Sequence, residues 1–253
     1  MYLPIPQQPD CASAWYAAAT AVDKQPGHEA HNVIIGVDNP LEGVAMENAI
    51  VARVDSFLQT RGKSVSTIAN TIFPQALYER HGAAGFIKVF HDKVLPKVRK
   101  NERWSGYYFE RMTRVPRAHG DPLDMLSITV QRMRDPKVKS LNKFELSLFD
   151  AERDVDNSPY GGQCLSFLSF KLEPGEPRRL HLTAIYRNHY YGEKLLGNLI
   201  GLGRVMAFVA HEANLSVGSL TIVSTHAVLD TVGGTRADIS KLLNECGVAA
   251  PAA

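Results

Sequence analysis

The spacing of apolar positions changes several times along the chain, and each change marks an element. From Leu41 to Leu58, the residues Val44, Ile50, Val51, Val54, Phe57 and Leu58 fall at helical spacing, and Gly62 follows as a stop signal. The next stretch, "SVSTIANTIF", is rich in β-branched residues and reads as a strand. Phe86 to Val98 reads as a helix that ends in the basic cluster "KVRKNER", a solvated face. In "GDPLDMLSITVQRMRD", Asp121 suits an N-cap and Pro122 a first helical position, with Leu123, Leu126, Val130 and Met133 as the apolar stripe. "FELSLFD", "CLSFLSFKLE" and "RRLHLTAIYR" alternate as strands do, and "GEPR" between the last two would serve as a hairpin turn.

Glu193 to Ala213 is apolar on nearly every side, which predicts a central, buried helix. Its Gly197, Gly201 and Gly203 permit close backbone approach at some cost in helix propensity. "LSVGSLTIVSTHAVLD" reads as a final strand pair. Residues 1–32, rich in Pro, Ala and Gln, read as a loop-rich N-terminal extension. With no repeat and no long linker, the simplest expectation is one α+β domain over residues 1–253, a mixed sheet with packed helices.

Composition adds exclusions. A net charge of +2 lacks the basic excess of a binder of long nucleic acid, although a small anionic ligand remains compatible. Cys11, Cys164 and Cys246 are odd in number and lack CxxC spacing, so neither a disulfide framework nor a zinc site is indicated. Reduced thiols fit a cytoplasmic location. The N-terminus has no basic n-region, and the chain has no apolar run of about twenty residues, so neither a signal peptide nor a membrane span is expected.

Chemistry concentrates in "TAIYRNHYYGEKLLGN", where an Arg, two Asn, a His and two Tyr separate a strand from the apolar helix. Cys164, after the glycines of "PYGGQC", opens the strand joined to this one by the hairpin turn. Taken alone, Cys164 reads best as an inert small hydrophobe. Strand pairing changes that, because it would set Arg187 beside the thiol, where a guanidinium both favours thiolate and binds an anion. Asn198 lies inside the apolar helix and needs partners. A structural bond to backbone or a bidentate bond to a planar ligand edge would each supply them. His226, mid-strand among apolar neighbours, reads as a satisfied core residue.

In order and spacing these pieces resemble thymidylate synthase. The similar elements are Cys164, Arg187, Asn198 eleven positions on, the long helix, Val217-Gly218 and Thr225-His226, together with "SGYYFERM" and "DPLDMLSITVQRMRDPKVKS" upstream. The resemblance covers about residues 105 to 230. It implies a thymidylate synthase-like mixed sheet and a homodimer. It also implies an enzyme that transfers a one-carbon unit, methyl or hydroxymethyl, from methylenetetrahydrofolate to C-5 of a pyrimidine nucleotide. Cys164 would add to C-6, Arg187 and Asn188 would hold phosphate, and Asn198 would read the base. His226 and Tyr108 would act through water or a ribose hydroxyl. Arg61 and Lys139 fall where the family places further phosphate cations, and Asp92, ahead of Glu79, where it places a proton-organising carboxylate.

Departures accompany the match. Tyr190 stands where the family has a folate-contacting aspartate, Leu165 replaces the His after the nucleophile, Val228 a ribose-binding tyrosine, and Ser224 an aspartate. They imply a divergent member, or a nucleotide-binding or sensing protein on the same fold that has lost catalysis.

Overall fold

A computed structural model describes residues 2–99, 106–155 and 163–249. Lys100 to Arg103 of the basic cluster, Ser105 of "SGYYFERM" and the glycines of "PYGG" lie outside the described residues. The fold is α+β, as expected. Strands β1 (Leu3–Pro4), β2 (Glu29–Val37), β3 (Phe144–Ser147), β4 (Leu165–Glu173), β5 (Arg179–Tyr186), β6 (His189–Tyr190) and β7 (Ser216–Val228) form one mixed sheet. Its order is β1-β2-β7-β5-β4-β3, with β6 also paired to β7. β4 and β5 make the expected antiparallel hairpin, from Glu173 opposite Arg179 to Leu165 opposite Tyr186. The helices are α1 (Cys11–Asp23), α2 (Ala49–Gln59), α3 (Val65–Ile72), α4 (Gln75–Val89), α5 (Leu95–Val98), α6 (Tyr108–Thr113), α7 (Met125–Arg134), α8 (Ala151–Asp154), α9 (Leu195–Ala213) and α10 (Arg236–Ala249). A π-helical turn, Phe90–Val94, joins α4 to α5. No helix of the described residues is long and apolar enough to cross a membrane.

The central helix α9 matches its expectation. Leu195, Leu199, Leu202, Val205, Met206 and Val209 are all buried, and α9 packs against α1, α3, α7 and the sheet. Its glycines have a specific use. A Cβ on Gly197 would meet the Ile68 side chain at 2.5 Å, one on Gly201 that of Ile72 at 2.8 Å, and one on Gly203 the carbonyl oxygen of Pro40 at 2.3 Å.

Several elements differ from expectation. "SVSTIANTIF" is helix α3, because Val65, Ile68, Ala69 and Ile72 follow i, i+3, i+4, i+7 and are buried on α9, and Ser64 Oγ caps the start by accepting from the Thr67 N–H at 3.1 Å. Burial of that stripe outweighs the strand preference of β-branched residues. The loop-rich reading of residues 1–32 is corrected by α1 and the start of β2. Alanine is the strongest helix former, Asp10 Oδ1 accepts from the Ser13 N–H at 2.8 Å, and Trp15 anchors the helix in the core. The helix read from Leu41 begins only at Ala49, where Asn48 Oδ1 accepts from the Ile50 N–H at 2.9 Å. Asp124, not Asp121, caps α7, because Leu123 is held in an antiparallel bridge with Val115. The supposed final strand pair is the single 13-residue β7, and α10 follows it unforeseen.

The side of the sheet away from α9 is only half covered. Ile34, Val223, Ile185 and Phe167 stand opposite one another across β2, β7, β5 and β4, forming an apolar row. Ile34 is exposed and the other three are half-buried.

Candidate active site

The hairpin does what its register demands. The Arg187 N–H donates to the Cys164 carbonyl at 2.9 Å, and Arg187 Nε donates to the Gln163 carbonyl at 2.9 Å. Gln163 Nε2 in turn donates to the Gly106 carbonyl at 2.7 Å, which ties the start of β4 to the segment leading into α6. Tyr108, the first residue of α6, reaches the same place, close enough to Cys164 and Arg187 to feel the charge of both. Burial is the main cause that pushes the Tyr108 phenol well above its usual range, so it stays protonated and can donate a hydrogen bond at neutral pH.

Cys164 is half-buried, and burial raises its thiol above the ordinary value, while the Arg187 and Lys194 cations oppose the rise. Because burial wins, alkylation of Cys164 by iodoacetamide is expected to climb with pH through and beyond the ordinary thiol range of about 8.5. Arg187→Gln removes a cation that favours thiolate, so the profile should move further to the alkaline side. A rate–pH profile followed by peptide mass spectrometry checks both. Cys11 and Cys246 are fully buried and should label far more slowly.

Three consecutive residues after β5 are clasped by three consecutive residues of β7. The Thr225 hydroxyl reaches the Arg187 carbonyl at 3.0 Å. Asn188 Oδ1 lies 2.9 Å from His226 Nδ1, and His226 Nε2 lies 3.3 Å from a Glu29 carboxylate oxygen. His226 is therefore not a core residue but a half-buried bridge between β2, β7 and the loop after β5. His189 Nδ1 lies 3.0 Å from Ser224 Oγ, and Asn198 Nδ2 lies 3.0 Å from His189 Nε2. Asn198 thus takes a side-chain partner where a backbone bond or a ligand edge was expected. Burial pushes the His189 imidazole down to about 3, so it is neutral at physiological pH.

Cys164, Arg187 and Tyr108 therefore meet, as do Asn188 with His226 and Asn198 with His189. The other three candidates are not brought into this group among the described residues. Arg61 lies over the Phe57 ring at 3.8 Å and pairs with Asp238 on α10 at 3.3 Å. Asp92, on the π-helical turn, is exposed and pairs with Lys88, four residues earlier on α4. Lys139 is exposed on the loop between α7 and β3. Glu79 accepts from Gln75 at 2.9 Å on α4. A buried carboxylate that the sequence reading passed over is Glu110 on α6, which pairs with Arg99 at 3.0 Å. Its signal was a Glu between Phe109 and Met112 on a short helix. His189, Ser224 and Lys194 were also missed as partners, since only the strand register brings the first two together.

No protein-family model matches the chain. Three curated proteins that carry the name "Putative thymidylate synthase" are similar to it. One, from Methanopyrus kandleri, is 28% identical over 142 residues, 56% of this chain and 61% of its own length. Those from Methanosarcina barkeri and Methanosarcina acetivorans are 31% and 33% identical over 73 residues, 29% of this chain and 32% of theirs. The chain thus spans about a third of the length of two of these relatives and 61% of the third. Similarity to thymidylate synthase-named proteins holds at a distance.

Proposed function

We propose that this chain is a divergent thymidylate synthase-like transferase that forms a Cys164 adduct at C-6 of a pyrimidine nucleotide and transfers a one-carbon group to C-5. The observation that carries the reading is the backbone bond from Arg187 to Cys164, which holds a cation and a thiol side by side at the mouth of one hairpin. Arg187, Asn188 and the neighbouring Lys194 supply phosphate-binding chemistry. Cys164 thiolate adds to C-6, and the electrons of the C-5–C-6 double bond move onto the C-4 carbonyl oxygen, leaving C-5 nucleophilic. After substitution at C-5 the C-5 proton leaves, the double bond reforms and the thiolate is expelled. The protonated Tyr108 phenol and the Asn188–His226 pair are the groups placed to steady charge and protons around this step.

The donor side fits methylenetetrahydrofolate less well. Where the resembled family grips folate with a carboxylate, Tyr190 presents a ring that is 42% exposed. It can stack on a planar ligand but cannot accept as a carboxylate does. The same substitution, with the raised Cys164 thiol, favours the second reading, a nucleotide-sensing protein. The apolar row on the open sheet face supports a homodimer.

Release of tritium from C-5-labelled uridine and cytidine nucleotides, ribo and deoxy, tests the proposal. Cys164-dependent release is expected, with the arm containing methylenetetrahydrofolate reporting the donor. Binding without release from any nucleotide would replace the enzyme with the sensing protein.

A further inference from the structure

Behind the Cys164–Arg187 pair lies a buried chain of four side chains, Tyr191, Ser224, His189 and Asn198, of which Ser224 and Tyr191 are fully buried, His189 is 1% exposed and Asn198 2%. The Tyr191 hydroxyl donates to Ser224 Oγ at 3.1 Å. His189 is fixed on three sides. Its Nδ1 faces Ser224 Oγ at 3.0 Å, its Nε2 faces Asn198 Nδ2 at 3.0 Å, and its ring stacks on Tyr186 with centroids 3.9 Å apart and planes 11° apart. An amide nitrogen only donates, so Nε2 accepts. The single proton of the neutral ring then sits on Nδ1 and goes to Ser224. The amide of Asn198 is thereby held one way round, and its Oδ1 is buried with no hydrogen-bond partner among the described residues. An unmet acceptor of that kind costs stability unless a ligand satisfies it.

Uracil offers an acceptor at C-4 beside a donor at N-3, and cytosine offers the reverse. An amide held one way matches one order and opposes the other, whereas an amide free to turn matches both. Resting on the nucleotide-binding reading above, we infer that His189 is a positioning residue that sets base specificity. Its Nδ1–H tautomer, held by Ser224, locks the Asn198 amide so that the site accepts one pyrimidine and rejects the other. The opposite proton order, with the Ser224 hydroxyl donating to Nδ1 and Nε2–H donating outward, requires the amide turned over with Oδ1 on the ring. That order would select the other base.

The test uses the full chain and two probes, the 5′-monophosphates of 2′-deoxyuridine and 2′-deoxycytidine, in titration calorimetry, with nitrogen-15 NMR of the histidine rings of the unliganded protein. NMR is expected to show neutral His189 with its proton on Nδ1, and a proton on Nε2 would overturn the assigned lock whatever the ligand data. The wild-type protein is expected to prefer one nucleotide by about 10-fold or more. Ser224→Ala, which touches no ligand, should bring that ratio toward one by raising affinity for the disfavoured base, a gain that simple structural damage does not produce. Equal wild-type affinity for both bases, or a Ser224→Ala protein that keeps the ratio while both affinities fall, would overturn the inference and leave the nucleotide reading standing. A wild-type chain that binds neither nucleotide would remove that reading and the inference with it.

Discussion

Cys164→Ala is expected to lower turnover by about 10⁴-fold or more while pyrimidine nucleotide binding stays within a few-fold of wild type. The split follows from how the site is held. Arg187 is positioned by its backbone N–H on the Cys164 carbonyl, its Nε on the Gln163 carbonyl and the Thr225 hydroxyl on its own carbonyl, none of which uses the Cys164 sulfur. Truncating the side chain removes the nucleophile and leaves the phosphate cation in place. Tritium release measures the first quantity and calorimetry the second. Residual release near the wild-type rate would mean that C-6 is attacked by another group, and lost binding would mean that the thiol supports the pocket.

Asp154→Ala is expected to cost about 3–5 kcal/mol of folding stability. Arg111 on α6 and Asp154 on α8 form a two-pronged ion pair, Nη2 to Oδ1 at 2.7 Å and Nη1 to Oδ2 at 3.2 Å, with the Asp154 side chain fully buried and that of Arg111 4% exposed. Asp154 also accepts from the Asp150 N–H at 2.9 Å. Removing the carboxylate takes the two-pronged partner from a buried guanidinium, and the Leu148 carbonyl at 3.4 Å and the half-buried Asp150 at 3.9 Å do not replace that paired charge. Denaturant unfolding should show the midpoint fall without a change in slope. The double variant Arg111→Met, Asp154→Leu should recover much of the loss, because an apolar pair pays no desolvation penalty. Since α6 also carries Tyr108, Asp154→Ala should weaken the hold on the phenol beside Cys164.

What was legible in the chain was whatever local pattern determines. The alternation of "CLSFLSFKLE" and "RRLHLTAIYR" around a turn gave the hairpin, and with it the meeting of Cys164 and Arg187. The near all-round apolarity of Glu193 to Ala213 gave the central helix, which the structure starts at Leu195. Helix α3 was misread because its residue types prefer strands, while its spacing answers to a partner, the glycine face of α9, that lies far off in sequence. The clasp between residues 187–189 and 224–226 was invisible for the same reason. His226 looked like a core histidine until β2 brought Glu29 beside it, and Asn198 looked like a lone amide until β6 and β7 set His189 and Ser224 in reach. Arg61 and Asp92 show the converse. Each has a partner within its own surroundings, Asp238 and Lys88, and position in the chain said nothing of that.

The place of β2 also has a consequence for how the protein is made. It lies between β1 and β7, and its register sets Glu29 opposite Val228. At ribosomal speeds of about 5–20 residues per second, roughly 10–40 s separate synthesis of the two strands. Throughout that interval β2 has only the two-residue β1 and helix α1 to pack on, and its β7-facing edge stays open. Nascent chains paused before β7 should therefore be sticky, protease-sensitive clients of chaperones, and the Ser224–His189 and Glu29–His226 contacts can form only once almost the whole described chain has left the ribosome.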